Sequence, residues 1–342
     1  MIRIGVVGTS AIAERRMIPA IRKEPAFRYE GAAFSTREEM GFRGAGADFA
    51  PVLEKKRERA RRFQESFGGR IWESYAEMLS DPDVDAVYIA LPPALHFRWA
   101  RLALEQGKHV LLEKPFTTRL EDAETLIRLA GEKGLAMAEN YGFPLHAQME
   151  LIRGWMAEGA IGQLRLVRAT FGFPHRDSSD FRYDPALGGG ALLDCGGYTL
   201  KAATAVLGPA AEVLAAAASS LPGHRVDMTG SVLMRSPEGV CAQLAYGMDH
   251  DYRCELEIWG SEGTITASRI FTAPDGFPAP VRLKNRQGEQ EKAAADDQFL
   301  KVLRQFAAGV ENPARRAAAA EEILVQSRLT DAVRRAAGIA VS

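Results

Sequence analysis

The sequence predicts an α/β chain of two domains: a doubly wound parallel sheet over residues 1–138, then an α+β domain over residues 139–342 with an open, largely antiparallel sheet. Three observations predict this. At 342 residues the chain is too long for one ordinary core and sufficient for two. Its first 140 residues alternate short β-rich runs with helical stretches, the rhythm of a parallel sheet with crossover helices. Beyond that point β-like runs follow one another across turns as short as "SPEG" and "GSEG", which antiparallel neighbours require.

In the first domain the strands are read at 2–7, 29–34, 86–91, 109–112 and 135–138. The stretch 38–53, "EEMGFRGAGADFAPVL", precedes the helix "EKKRERARRFQESFG" and exceeds the ~2–6 residues of an ordinary connection, so it reads as a surface insertion or a lid. In the second domain a helix near 151–158 leads to a strand at 164–173, a polar loop and a helix at about 192–207. Strands follow at 226–235, 240–248, 254–259 and 264–268, and Ala-rich helices run from about 297.

Composition excludes more than it assigns. With 43 Lys+Arg against 44 Asp+Glu, no net field draws in a polyanion, so neither nucleic acid nor an anionic membrane is an expected partner. Cys195, Cys241 and Cys254 show no CxxC spacing and fit reduced thiols. No apolar run reaches the ~20 residues of a membrane span, and a soluble, cytoplasmic protein is expected. Asp249, His250, Asp251 and Cys254 match no zinc spacing, so no metal is expected. His146 and Cys195 read as packing residues.

The opening "MIRIGVVGTSAIAERRM" carries the first chemistry. A strand running into Gly8, Ser10 and Ala13 stands where a dinucleotide loop has G-x-G-x-x-G. Gly8 supplies the turn, Ser10 still permits close backbone approach, and Ala13 is small enough for helix–strand packing. At the end of the second strand "YEGAAFSTRE" has Ser35, Thr36 and Arg37 where an acid would grip a ribose 2′-hydroxyl. Two hydroxyls beside a guanidinium suit a 2′-phosphate, so NADP(H) is expected over NAD(H).

"ALPPALH" and "VLLEKPFT" end two further strands, and "GGGALLDCGGY" opens a helix in the second domain. Together with "GTSAIA" these motifs resemble the Gfo/Idh/MocA family of nicotinamide-dependent sugar oxidoreductases, over nearly the whole chain. The resemblance implies that Lys114 of E-K-P and Tyr198 flank the reacting carbon, with Asp194 orienting the pair. It also implies cofactor contacts at Gly8, Thr9, Ser10, Ala11, Ile12, Ser35, Thr36, Arg37, Leu91, Pro92, His96, Glu113, Lys114 and Asn140. The substrate set is Lys114, Arg182, Asp194, Tyr198 and Lys201. Spacing supports part of this: Asp194, Tyr198 and Lys201 fall on one face of a helix, just after three glycines. A tyrosine ordinarily titrates near ~10 and needs a nearby cation to work at neutral pH. Lys114 is the expected cation.

Within the family, "RRMIPAI", "DFRYDPALGGGALLDCGGY" and "CELEIWGSEG" look most like the nucleotide-sugar ketoreductases, particularly the dTDP-hexose 3-ketoreductases. The expected reaction is therefore reduction of a keto group on a nucleotide-linked keto-deoxyhexose. The alternatives are an NADP-dependent dehydrogenase of a free sugar or diol, and a non-catalytic NADPH sensor. Lys201 stands where many members have Asp or Asn, which favours an anionic substrate. An open sheet needs its second face covered, and the resemblance implies a homodimer or homotetramer formed through it.

Overall fold

The structure, a computed structural model, describes residues 1–39 and 50–340 and divides into two compact units. In chain order the first unit contains β1 (Ile2–Val7), α1 (Ile18–Lys23), β2 (Phe27–Ala33), α2 (Ala50–Phe67), β3 (Arg70–Trp72), α3 (Tyr75–Ser80), β4 (Ala86–Ile89), α4 (His96–Glu105), β5 (His109–Leu112), α5 (Leu120–Lys133) and β6 (Met137–Glu139). Its six strands lie in the order β3-β2-β1-β4-β5-β6, all parallel. That is a Rossmann sheet, with the order reversing at β1/β4 and a ligand crevice beyond the carboxyl ends there. Continuous apolar runs build it, because a parallel sheet is covered on both faces: Val7, Val87, Ile89, Val110 and Leu112 are fully buried. Strand β3 has only three residues, Arg-Ile-Trp, too few to show a period, and sequence reading missed it.

The second unit contains α6 (Ala147–Ala157), β7 (Leu164–Gly172), α7 (Gly197–Leu207), β8 (Glu212–Ser219), β9 (Thr229–Arg235), β10 (Cys241–Gly247), β11 (Arg253–Gly260), β12 (Gly263–Ser268), β13 (Ala279–Asn285) and β14 (Gly288–Ala294). Its eight strands run β14-β13-β12-β11-β7-β10-β9-β8, antiparallel except for the β7–β10 pair. One face holds the core, with Val167, Ala169, Leu256, Ile258 and Ile265 buried. On the other face Trp259, Leu166 and Cys241 lie in one cross-strand row, and Trp259 is 50% exposed.

The linear division 1–138 and 139–342 needs one correction. The last helices, α8 (Gln298–Glu311) and α9 (Pro313–Ala337), do not belong wholly to the second unit, because residues 299–323 pack with the first. Phe306 stacks on Phe27 with ring centroids 6.1 Å apart, Arg16 lies over the Phe299 ring, and Arg304 pairs with Glu24 at 2.7 Å. These contacts join residues nearly 300 positions apart, which no local pattern announces. Most of the insertion at 38–53, residues 40–49, lies outside the described residues.

Candidate active site

In the first unit the strand ends converge as the sequence predicts. Gly8 has φ +97°, and a Cβ there would stand 2.7 Å from Leu91 Cδ2 and 3.1 Å from the Ala90 carbonyl oxygen. The backbone after β1 therefore passes directly against the end of β4, which only glycine allows. Thr9, Ser10, Ala11 and Ile12 are partly exposed between buried Gly8 and Ala13. Ser10 Oγ accepts from the Ala13 amide at 3.2 Å and so closes the first turn. The helix then runs through a π-turn, Ala13–Met17, into α1. First-turn amides of a helix have no intrahelical acceptor and make a seat for an anion. The loop fits a dinucleotide without its second and third glycines.

The end of β2 explains the missing acid. Glu39 is 6% exposed. Its carboxylate accepts from the Thr36, Tyr75 and Ala76 amides at 2.9, 3.2 and 3.0 Å and from the Ser74 hydroxyl at 2.7 Å. It caps α3 and pins the 35–39 turn, leaving Arg37 on the outside and Ser35 buried. Lys56 Nζ, from α2, donates to Ser35 Oγ at 2.9 Å. Burial, and then the neighbouring Arg59, push the Lys56 ammonium below its ordinary pKa against the pull of Glu39. The buried Nε of Arg59 has no protein partner among the described residues. Sequence reading missed Lys56 and Arg59, because only the fold of α2 onto β2 distinguishes them from the other cations of "EKKRERARRF".

Two expected cofactor contacts also hold the loops around them together. His96 is 0% exposed, and its ring nitrogens lie 2.8 Å from the Pro115 oxygen and 2.9 Å from the Leu91 oxygen. Each nitrogen faces a carbonyl oxygen, so the neutral ring donates to one of them and stands between the β4 and β5 loops. Burial holds its pKa below the ordinary value. Glu113, too, turns inward: Tyr88 Oη and Asn140 Nδ2 donate to its carboxylate, the latter at 2.6 Å, and the Lys114 amide approaches at 3.3 Å. Burial raises the Glu113 pKa, and these donors oppose the rise. Glu113, Asn140 and His96 thus brace the loop on which Lys114 is carried, while Leu91, Pro92 and Lys114 themselves are partly exposed.

In the second unit Asp194, Tyr198 and Lys201 are the partly exposed positions between Ala191 and Ala203, where every other residue is buried. The path between them is not plain α-helix, however: Leu192–Gly196 is a π-turn leading into α7. Tyr198 sits among Tyr141, Phe171, Phe271 and Phe143, with ring centroids 4.9, 5.2, 5.5 and 6.1 Å away. The two nearest cross it edge-on, an arrangement worth ~0.5–1.5 kcal/mol per pair, and together the four fix the plane of its ring. Asp194 accepts from Arg182 Nε at 2.7 Å, while Arg182 Nη1 reaches Asp180 at 3.1 Å. Burial alone would lower the Arg182 pKa, but the two carboxylates hold it above its ordinary value. Arg182 is thus a partner of Asp194, a contact the spacing of the motif did not reveal.

The glycines earlier in the motif have separate duties. A side chain on Gly189 would strike the Arg182 carbonyl, so its absence lets the loop carrying Arg182 lie beside the helix start. Gly196 lies against the Tyr246 ring, and Gly197 against the Tyr141 hydroxyl. Cys195 packs in the core as expected and also donates its thiol to the Ala191 oxygen at 3.2 Å; His146 caps α6 through the Gln148 amide. Among the described residues no group of three or more His, Cys, Asp or Glu is placed to hold a metal, and no helix is long and apolar enough to cross a membrane.

Comparison with known proteins supplies the family. Residues 2–141 match the oxidoreductase family with NAD-binding Rossmann fold, and residues 149–266 match the Gfo/Idh/MocA C-terminal domain. The chain belongs to the Gfo/Idh/MocA oxidoreductases. Among relatives, it is 39% identical to a dTDP-3,4-didehydro-2,6-dideoxy-α-D-glucose 3-reductase of Streptomyces violaceoruber, covering 98% of this chain and 95% of that protein. Among solved structures it resembles KijD10, a 3-ketoreductase from Actinomadura kijaniata in complex with NADP and TDP-benzene. The TM-score is 0.88 and the identity 37%, with 98% of each chain covered. A D-xylose 1-dehydrogenase (NADP(+)) of Haloferax volcanii is 26% identical over 96% of this chain and 95% of that protein. As a Gfo/Idh/MocA member the chain is an oxidoreductase.

Proposed function

We infer that this enzyme reduces a keto group on a nucleotide-linked keto-deoxyhexose, with NADPH as reductant and Tyr198 as proton donor. One observation carries the reading: Tyr198 and Asp194 share a partly exposed face, in a chain that matches a 3-ketoreductase solved with NADP and TDP-benzene over nearly its whole length.

Gly8, Ser10 and the first-turn amides after them hold the cofactor's pyrophosphate, and Arg37, Thr36, Lys56 and Arg59 take the 2′-phosphate. The dihydronicotinamide, when bound, supplies two electrons and one hydrogen to the carbonyl carbon. Tyr198 gives its phenolic proton to the carbonyl oxygen, its direction set by the aromatic rings around it. Lys114 holds that oxygen through its ammonium. Asp194, paired with Arg182, orients the catalytic pair, and Lys201 meets an anionic group of the substrate. The row Trp259, Leu166 and Cys241 supports a homodimer or homotetramer formed through the open sheet face, which light scattering of the parent and of Trp259→Glu tests: an unchanged mass would sink it.

The test of the function is a substrate comparison. The enzyme should turn over dTDP-3,4-didehydro-2,6-dideoxy-α-D-glucose with NADPH, and dTDP or UDP should inhibit competitively against the sugar. The Haloferax relative supports a second reading, oxidation of a free sugar with NADP. If millimolar nucleotides leave the rate untouched while xylose or glucose is oxidised, that second reading replaces the first.

A further inference from the structure

A π-turn widens the helix by one residue and disturbs the regular ladder of backbone bonds, so backbone groups around it look for partners outside the helix. Around Leu192–Gly196 those side chains come from distant parts of the chain. At the entry, Asp227 Oδ2 accepts from the Leu192 amide at 2.7 Å, and the Asp227 backbone oxygen accepts from the Ala191 amide at 2.8 Å. Gly190, at φ +125°, leaves the space that the Asp227 carboxylate fills, because a Cβ there would collide with Oδ1. At the exit, Gln326 of α9 donates from Nε2 to the Gly197 oxygen at 2.9 Å, one residue before Tyr198. Gln326 is 4% exposed. Within the turn Cys195 and Thr199 serve the Ala191 and Gly196 oxygens at 3.2 and 2.8 Å, but these are local contacts that travel with the helix.

Asp227 and Gln326 tie the two ends of the turn to distant parts of the unit by side-chain hydrogen bonds, and Arg182 holds Asp194 between them. Arg334, also on α9, faces Asp227 electrostatically, and the Tyr246 ring, packed against Gly196, lies near it as well. Burial raises the Asp227 pKa, opposed by the Leu192 amide and Arg334.

We propose that Asp227 and Gln326 are positioning residues, a two-point clamp on the π-turn that sets where the Tyr198 hydroxyl stands. In this reading both residues act through the turn. The clamp rests on the reading of Tyr198 as proton donor, and its consequence is kinetic: loosening either end lets the hydroxyl wander while the binding surfaces remain.

The experiment uses the full-length enzyme and two readouts. In hydrogen–deuterium exchange, Asp227→Ala and Gln326→Leu should each lose protection across 192–198, with protection elsewhere and the thermal transition little changed. In turnover of dTDP-3,4-didehydro-2,6-dideoxy-α-D-glucose, normalised to NADPH-binding sites, kcat should fall about tenfold while KM moves less than about twofold, the mark of an interaction expressed in the transition state. Asp227→Asn keeps an oxygen acceptor for the Leu192 amide and should recover most of the loss; a residue needed only for bulk stability would not show this split. Gly190→Ala, which drives the carboxylate out, should reproduce Asp227→Ala, and the double variant should be no worse than either. Parental kcat together with parental exchange in Asp227→Ala and Gln326→Leu overturns the clamp. Should Tyr198→Phe, assayed in parallel, keep parental turnover, the reading of Tyr198 fails on its own, and the clamp is then decided by exchange alone: retained protection at 192–198 overturns it and lost protection supports it.

Discussion

Each unit of this enzyme contains a π-turn at its candidate site, and the two are held in opposite ways. Ala13–Met17 follows the cofactor loop and is set by neighbours: Ser10 closes the turn before it, and Pro19 lies in the first turn of the helix after it. Leu192–Gly196 precedes Tyr198 and is set by Asp227 and Gln326, 35 residues from Leu192 and 129 from Gly197 along the chain. A binding loop that must offer backbone amides is built from local sequence. A reacting hydroxyl, which must be placed in three dimensions, draws on the whole unit. Substitutions that disturb the two turns should respect this contrast, those at Ser10 changing cofactor affinity and those at Asp227 or Gln326 changing rate.

The largest effect is expected at Tyr198. Removing a general acid costs typically ~10²–10⁴-fold in rate, so Tyr198→Phe should lower kcat by that order with NADPH affinity nearly intact, and Lys114→Ala should do likewise. A drop below threefold, with circular dichroism confirming the fold, would return Tyr198 to the aromatic cluster as a packing residue. Next comes cofactor choice. A charge-assisted bond contributes about 1.5–3 kcal/mol, roughly ten- to a hundredfold in affinity. Fluorescence titration should therefore show NADPH bound more tightly than NADH, with Arg37→Ala and Arg59→Ala each narrowing the gap and the pair closing it; equal affinities in the parent would refute the 2′-phosphate site. The smallest effect sharpens the contrast from the substrate side. Lys201→Met should raise KM for the nucleotide sugar about tenfold with kcat unchanged, the signature of lost uniform binding, whereas unchanged constants would leave Lys201 a surface lysine.

The same contrast governs what the sequence revealed. Strands β1 and β5 are legible to the residue because parallel strands are buried on both faces and read as unbroken apolar runs. Strand β8, Glu-Val-Leu-Ala-Ala-Ala-Ala-Ser, went unread because alanine has little preference for strands, and β14 because Glu, Gln and Lys on an edge carry no apolar period. At the site, Gly8, Ser10, Lys114, Asp194 and Tyr198 stand in motifs whose spacing is itself the signal. Glu39, Lys56, Asp227 and Gln326 do not: each acts on a partner 21 to 129 residues away, and nothing near them in sequence separates them from surface residues. His96 and Glu113 stand between these cases, since the motif marks their place but only packing shows that they face inward.

The π-turn before Tyr198 also bears on how related chains are to be aligned. Such a turn is what a helix becomes when it admits one extra residue. A relative one residue shorter between the positions of Asp194 and Tyr198 would close into plain α-helix with the turns on either side keeping their direction, because the extra residue is absorbed where the helix widens. Its aspartate would then stand three residues before the tyrosine instead of four and still share its face, since positions three and four apart are neighbours on a helix. A shared Asp and Tyr therefore mark one site across a one-residue difference in spacing, provided the gap in the alignment is placed inside the turn.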